Sequence, residues 1–112
     1  MAMQNEPVVE VTETEFKEIV GNGHKLVVVD FFAEWCMPCL MMAPIIDEMA
    51  EQMKEVKFVK INVDDNQELS EKYEVRSIPT LIFFKDGKEV DKAVGGMDAD
   101  ALEEKIEELL KN

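Results

Sequence analysis

Trp35-Cys36-Met37-Pro38-Cys39 holds the only two cysteines of the 112-residue chain, three positions apart. The pair follows directly on the apolar run Leu26-Val27-Val28-Val29-Asp30-Phe31-Phe32. A strand that runs into a helix sets the first sulfur at the helix start and the second one turn later. One sulfur can then attack a disulfide and the other can resolve the product, so this spacing suits thiol–disulfide exchange. Attack requires a thiolate. At a helix start, unpaired N–H groups and the helix dipole stabilise that charge on Cys36. Cys39, one turn inside, is expected to be more buried and to have the higher pKa. Cys36 is therefore expected to form a mixed disulfide with substrate. Cys39 then displaces the substrate and leaves a Cys36–Cys39 bridge.

Two other uses of the pair compete. A zinc or iron–sulfur site needs more ligands than this chain supplies, since there is no second cysteine pair and the one histidine, His24, reads as an ordinary loop residue. Such a site would require a dimer pooling its cysteines, and no metal is expected. The other alternative is a pair of buried structural thiols. As a staple the pair would be poor, because closing so short a loop contributes only about 2 kcal/mol before strain.

Asp30 is the second anomaly, an acid inside the most apolar segment, where an unpaired carboxylate is costly. It is either a strand-edge aspartate satisfied by water or a buried carboxyl with a raised pKa. In the second case its natural role is general base for Cys39, directly or through one water. Lys60 is the matching oddity within Phe58-Val59-Lys60-Ile61-Asn62-Val63. It either pairs with Asp30 from a neighbouring strand or lies exposed on an edge. Ile78-Pro79-Thr80 opens another strand, where proline is allowed at the first position. A cis bond there would leave bent backbone free near the sulfurs.

The elements that must position these residues are legible in outline. Val8 to Val11 reads as a short strand. Thr12 and Glu15 have the spacing of a capping box, ahead of a helix whose apolar face is Phe16, Ile19 and Val20 and which stops at Gly21. Leu26 to Phe32 reads as a central strand buried on both faces. The segment from about Trp35 to Met53 reads as a helix with a core stripe of Met42, Ile46, Met49 and Met53. Pro38 fits its first turn, and Pro44 is expected to kink it. Val56 to Val63 is a second buried strand. Asp65 or Asn66 can cap a short helix through Leu69 and Tyr73. Thr80 to Lys85 and Glu89 to Val94 form a hairpin about Asp86-Gly87. After Gly95-Gly96, Asp98 caps a last helix with Leu102, Ile106 and Leu109 or Leu110 inward. The order β-α-β-α-β-α-β-β-α implies an α/β fold, a mixed sheet with helices on both faces.

Composition limits the partners. The chain has 25 acidic and 12 basic side chains, a formal net charge of −13, which argues against nucleic-acid binding. No apolar run is long enough to span a bilayer, so no membrane partner is expected. Residues 1–15 carry neither a basic stretch nor an apolar one, so no secretory signal is expected. The expected compartment is the cytoplasm, where a cysteine pair is catalytic or metal-binding more often than structural. Residues 1–7 are expected to be a poorly ordered extension and 8–112 a single domain, active as a monomer.

Taken together, these stretches resemble the thioredoxin family over nearly the whole chain from about Val8. The resemblance is carried by Val29-Asp30-Phe31-Phe32-Ala33-Glu34-Trp35-Cys36, Pro38-Cys39, Ala43-Pro44-Ile45, Lys60-Ile61-Asn62-Val63-Asp64, Ile78-Pro79-Thr80, Phe84-Lys85-Asp86-Gly87 and Gly95. It implies a thioredoxin-like fold and protein-disulfide reduction, with no cofactor beyond the redox disulfide. It also implies recycling by a thioredoxin reductase, with NADPH or ferredoxin as the ultimate donor. Cys36 would attack and Cys39 resolve, Asp30 would be the buried carboxyl with Lys60 beside it, and Trp35 would flank the disulfide. Pro79 would be a cis-proline opposite the sulfurs, Ile78 would offer backbone to the substrate, and Gly95 would belong to a docking loop. Met37 and Pro38, between the sulfurs, complete the substrate-facing set.

Three positions depart from the family pattern. Met37 replaces the usual glycine, Leu40 the usual lysine, and Phe32 a common tryptophan. Met37, Leu40, Met41, Ile78 and Met97 are expected either to form an adaptable methionine-rich docking rim or, for Leu40 and Met41, to turn partly into packing. The rival functions are a glutaredoxin-like or disulfide-isomerase-like oxidoreductase and a redox-independent binding module or chaperone.

Overall fold

Near-continuous apolar runs in the central strands build a sheet with two apolar faces; the computed structural model describes residues 8–111 of the chain. The elements in order are β1 (Val9–Glu10), α1 (Glu13–Val20), β2 (Val27–Phe32), α2 (Met37–Gln52), β3 (Lys57–Asn62), α3 (Gln67–Lys72), β4 (Thr80–Lys85), β5 (Lys88–Val94) and α4 (Ala99–Lys111). The strand order is β1-β3-β2-β4-β5. β3 runs parallel to both β1 and β2, whereas β4 is antiparallel to β2 and β5. This is the expected mixed sheet. The expected extension over residues 1–7 lies outside the described residues.

Because side chains alternate across a strand, each central strand serves two cores. Leu26, Val28, Phe58, Leu81 and Phe83 pack with Met42, Ile46 and Met49 of α2 and with Leu102 and Ile106 of α4. Val27, Val29, Phe31, Val59, Ile61, Ile82 and Phe84 pack on the opposite face with Phe16 of α1 and Leu69 of α3. There Phe16, Tyr73 and Phe84 meet edge to face, with ring centroids 5.3 to 5.8 Å apart. Each such fully buried side chain stabilises the fold by about 1.5–3 kcal/mol.

Local signals set the element ends. Thr12 Oγ1 accepts from Glu15 N at 3.3 Å, and Glu15 Oε1 accepts from Thr12 N at 2.9 Å, completing the capping box of α1. Asp98 Oδ1 accepts from Ala101 N at 2.8 Å at the start of α4. The β4–β5 turn uses Asp86 and Gly87 at φ 53° and 79°, the left-handed pair that a two-residue hairpin needs. Several ends differ from the sequence reading: β2 starts at Val27, β3 spans Lys57–Asn62 and β5 starts at Lys88. β1 contracts to two residues, because it pairs only with Val59 and Lys60 of β3. α2 starts at Met37 and continues through Pro44 to Gln52. Asn66 stands at the N-cap of α3 but makes no side-chain cap; its Nδ2 instead donates to Asn62 O at 3.0 Å. Gly21 ends α1 as expected, though at φ −90°, a conformation open to any residue.

Candidate functional site

β2 delivers the chain through Ala33 to Cys36, which is the N-cap of α2. Cys36 and Cys39 form a disulfide with their Cα atoms 5.2 Å apart. Cys36 Sγ accepts the backbone N–H of Cys39 at 3.2 Å. The cap position is thus filled by sulfur, and the orphan N–H that would stabilise a thiolate already points at it. The first turn of α2 holds no acidic side chain to oppose that charge. The expectation that Cys39 is the more buried of the two needs correction, since each is 4% exposed. Backbone geometry separates the two sulfurs: Cys36 caps the helix and Cys39 lies within it.

A second backbone segment closes on the sulfurs. The Ile78-Pro79 bond is cis, and the Ile78 carbonyl lies 3.9 Å from Cys36 Sγ. Thr80 Oγ1 donates to Ser77 O at 2.6 Å, which braces the turn. Gly95, at φ 89°, donates its N–H to Pro79 O at 2.8 Å, so the loop after β5 lies against the proline. Ala33, Cys36 and Cys39 form a small buried cluster against Phe32, Val63 and Ile78.

Asp30 lies mid-strand in β2, the central strand, with Lys60 on one side and Leu81 on the other. The strand-edge reading is therefore wrong. Alternation puts Asp30 on the face of Leu26 and Val28, the face that packs against α2 and so against the helix bearing Cys39. Burial pushes its pKa from 3.8 to about 7, the Lys60 charge draws it down, and the Asp47 charge pushes it further up. Its Oδ1 is buried without a hydrogen-bond partner. Lys60 is half-buried on a strand flanked on both sides, which overturns the edge-lysine alternative. Its Nζ sits 5.5 Å from the Phe32 ring centroid, and its charge acts on Asp30 across the strand pair.

Trp35 is 71% exposed beside the disulfide, and its Nε1–H donates to Asp64 Oδ2 at 2.8 Å. The backbone N–H of Asp64 in turn donates to Asn62 Oδ1 at 2.9 Å. The sequence reading assigns Asp64 and Asn62 no part here. The signal that finds them is register: Phe32 lies opposite Asn62, so the chain exits of β2 and β3 leave the sheet side by side.

The rim residues Met37, Leu40 and Met41 are 65%, 53% and 70% exposed, so Met41 stays largely open while Leu40 is about half covered, and Ile78 and Met97 are half-buried against the core. Pro38, Met41, Ile45, Gly96 and Met97 line an apolar groove next to the disulfide. His24 is exposed in the loop before β2, away from both sulfurs in element order. Among the described residues, no cluster of three or more His, Cys, Asp or Glu is arranged to hold a metal ion, and no helix is long and apolar enough to cross a membrane.

A family model described as Thioredoxin matches residues 7–108. Thioredoxin-2 of Saccharomyces cerevisiae is 50% identical over 86 residues, covering 77% of this chain and 83% of the yeast protein. Thioredoxin 1 of Nostoc sp. is 43% identical over 102 residues, covering 90% of this chain and 95% of its own. Among solved structures, a single-site mutant of the thioredoxin from Halobacterium salinarum superposes with a TM-score of 0.86 at 38% identity, covering 94% of this chain and 93% of that one.

Proposed function

This chain belongs to the thioredoxin family of disulfide oxidoreductases, and from that premise we propose that it works as a protein-disulfide reductase recycled by a thioredoxin reductase. One observation carries the reading: a closed Cys36–Cys39 disulfide whose first sulfur caps α2 and faces the Ile78 carbonyl.

In the reduced protein, the Cys36 thiolate attacks one sulfur of a substrate disulfide. A Cys36–substrate bond forms, the substrate S–S bond breaks, and the departing thiolate takes up a proton. The Ile78 backbone and the Gly95 loop receive the substrate chain, while Trp35, Met37, Pro38 and Pro79 shape the surface around the sulfurs. Cys39 then loses its proton to Asp30, directly or through one water, and attacks Cys36 Sγ. The intramolecular disulfide forms and the second substrate thiol leaves, so two electrons have passed to the substrate. A carboxyl with a pKa of about 7 is matched to that proton transfer near neutrality. Lys60 keeps Asp30 in this range by offsetting part of its desolvation. Reduction of the resulting disulfide by a thioredoxin reductase completes the cycle, with no bound cofactor required.

The site is complete within one chain, which supports action as a monomer, and a catalytic use of two cysteines suits the reducing cytoplasm. Insulin-disulfide reduction with candidate reductases tests the reading. Turnover sustained by a thioredoxin reductase and lost in a Cys36→Ser, Cys39→Ser double variant is expected. Recycling by glutathione alone would point to a glutaredoxin-like couple, and a role that survives loss of both sulfurs would point to a binding module.

A further inference from the structure

Met42 is buried in α2, one turn beyond Cys39, and its sulfur does more than fill space. Met42 Sδ accepts the backbone N–H of Met97 at 3.3 Å. A side-chain carbon added at Gly96 would lie 3.9 Å from the same sulfur, so the turn after β5 rests directly on it. Gly95 in that turn donates to Pro79 O, and the neighbouring Ile78 carbonyl lies against Cys36 Sγ. One continuous set of contacts thus runs from the cysteine helix, through the Gly95–Met97 turn, to the proline turn and back to the attacking sulfur. Four of its members are backbone groups, the Met97 and Gly95 N–H groups and the Pro79 and Ile78 carbonyls; the Met42 thioether is the side-chain acceptor among them. Gly95 and Gly96 have no side chain to anchor this turn, so besides the Met42 contact it is held by the Gly95–Pro79 backbone bond, by Met97 packing against the core and by the Asp98 cap of α4.

We propose that Met42 is a positioning residue: its sulfur clips the Gly95–Met97 turn to α2 and holds the groove formed with Pro38 and Met41 in the shape that receives a polypeptide substrate. The inference rests on the protein-disulfide reductase reading. A small disulfide that reaches Cys36 without lying along the turn has no use for the clip.

Met42→Leu removes the acceptor and nearly conserves volume, a change that cores tolerate well. The oxidised variant is compared with wild type by amide hydrogen exchange at Met97. Steady-state reduction of insulin and of a small aromatic disulfide is measured in parallel. The expected result is faster exchange at Met97, a KM for insulin raised by about three- to tenfold, the loss of one modest hydrogen bond, a kcat within about twofold of wild type, and an unchanged rate with the small disulfide. Unchanged exchange at Met97, faster exchange with an unchanged insulin KM, or equal slowing toward both substrates would each overturn the proposal. Failure of the wild-type protein to reduce insulin would instead remove the reductase reading itself.

Discussion

Asp30 shows how much one residue can reveal from its type and neighbours alone. A carboxylate in a run of valines and phenylalanines is costly, so it marks itself as an anomaly before any fold is known. Whether it lies at an edge or in the middle of the sheet depends on strands far away in sequence, and that is not legible locally. Its position fixes a pH dependence. The folded pKa is raised to about 7 and the unfolded one stays near 3.8. Between these values the native state holds more protons than the unfolded state, so the stabilising contribution present below about pH 4 is lost as pH rises through about 7. Asp30→Asn should therefore stabilise the oxidised protein increasingly from pH 4 to pH 7, by up to about 4 kcal/mol at pH 8, as measured by urea unfolding across that range. A gain independent of pH would contradict the buried, proton-holding carboxyl. The same variant should slow resolution of a mixed disulfide more than the first attack, a difference that rapid-mixing kinetics with a fluorescent substrate resolves. Met37 is legible as a departure, and between the two cysteines it is 65% exposed. Met37→Gly should slow reduction of at least some protein disulfides by about two- to tenfold, of the order of one lost apolar contact. Unchanged rates across a varied panel would show that the rim is incidental.

Elements are easier to recognise than their ends or their pairing. The capping box of α1 and the Asp86-Gly87 turn rest on contacts within four residues, and both form as local chemistry requires. β1 is shorter than its apolar pattern because a strand's length is set by its partner, and only two residues of it meet β3. The Trp35–Asp64 hydrogen bond escapes a local reading for the same reason. It spans 29 positions and exists because β2 and β3 run parallel in a register that places Phe32 opposite Asn62. The indole is thereby held by a charge-assisted bond at its edge, leaving its exposed face beside the disulfide. Asp64→Ala should free the ring without unfolding the domain. Because Trp35 is the only tryptophan, time-resolved fluorescence anisotropy reads it directly, and a faster local component is expected. An unaltered decay would mean that neighbouring packing alone holds the ring.

For the whole molecule, the alternation of strands and helices makes a mixed, two-sided sheet legible, and the structure has it. The strand order β1-β3-β2-β4-β5 is not written in any local pattern, since it follows from which hydrophobic faces can be covered together. Charge is the other whole-molecule property. The whole chain carries a formal net charge of −13, and Glu34, Asp64 and Asp98, near the disulfide or its groove, are exposed, as is Arg76 ahead of the cis-proline. Encounter with a basic protein disulfide should accordingly be steered, and encounter with an acidic one opposed. Raising ionic strength from about 20 mM to about 300 mM should lower the second-order rate constant for a basic substrate severalfold and raise it for an acidic one. Identical salt responses would show that the apolar rim governs encounter alone.

The sheet also partitions the molecule. Asp30, Lys60 and the α2 contacts share one side, whereas the Phe16–Tyr73–Phe84 ring cluster, α1 and α3 occupy the other. Away from Val63, which packs against both this side and the cysteine cluster, packing on that second side can drift, be redesigned or be loaded with stabilising substitutions while the groups that move electrons and protons keep their surroundings. The fold thus separates heritable robustness from redox tuning, and each can evolve on its own side of a single layer of backbone.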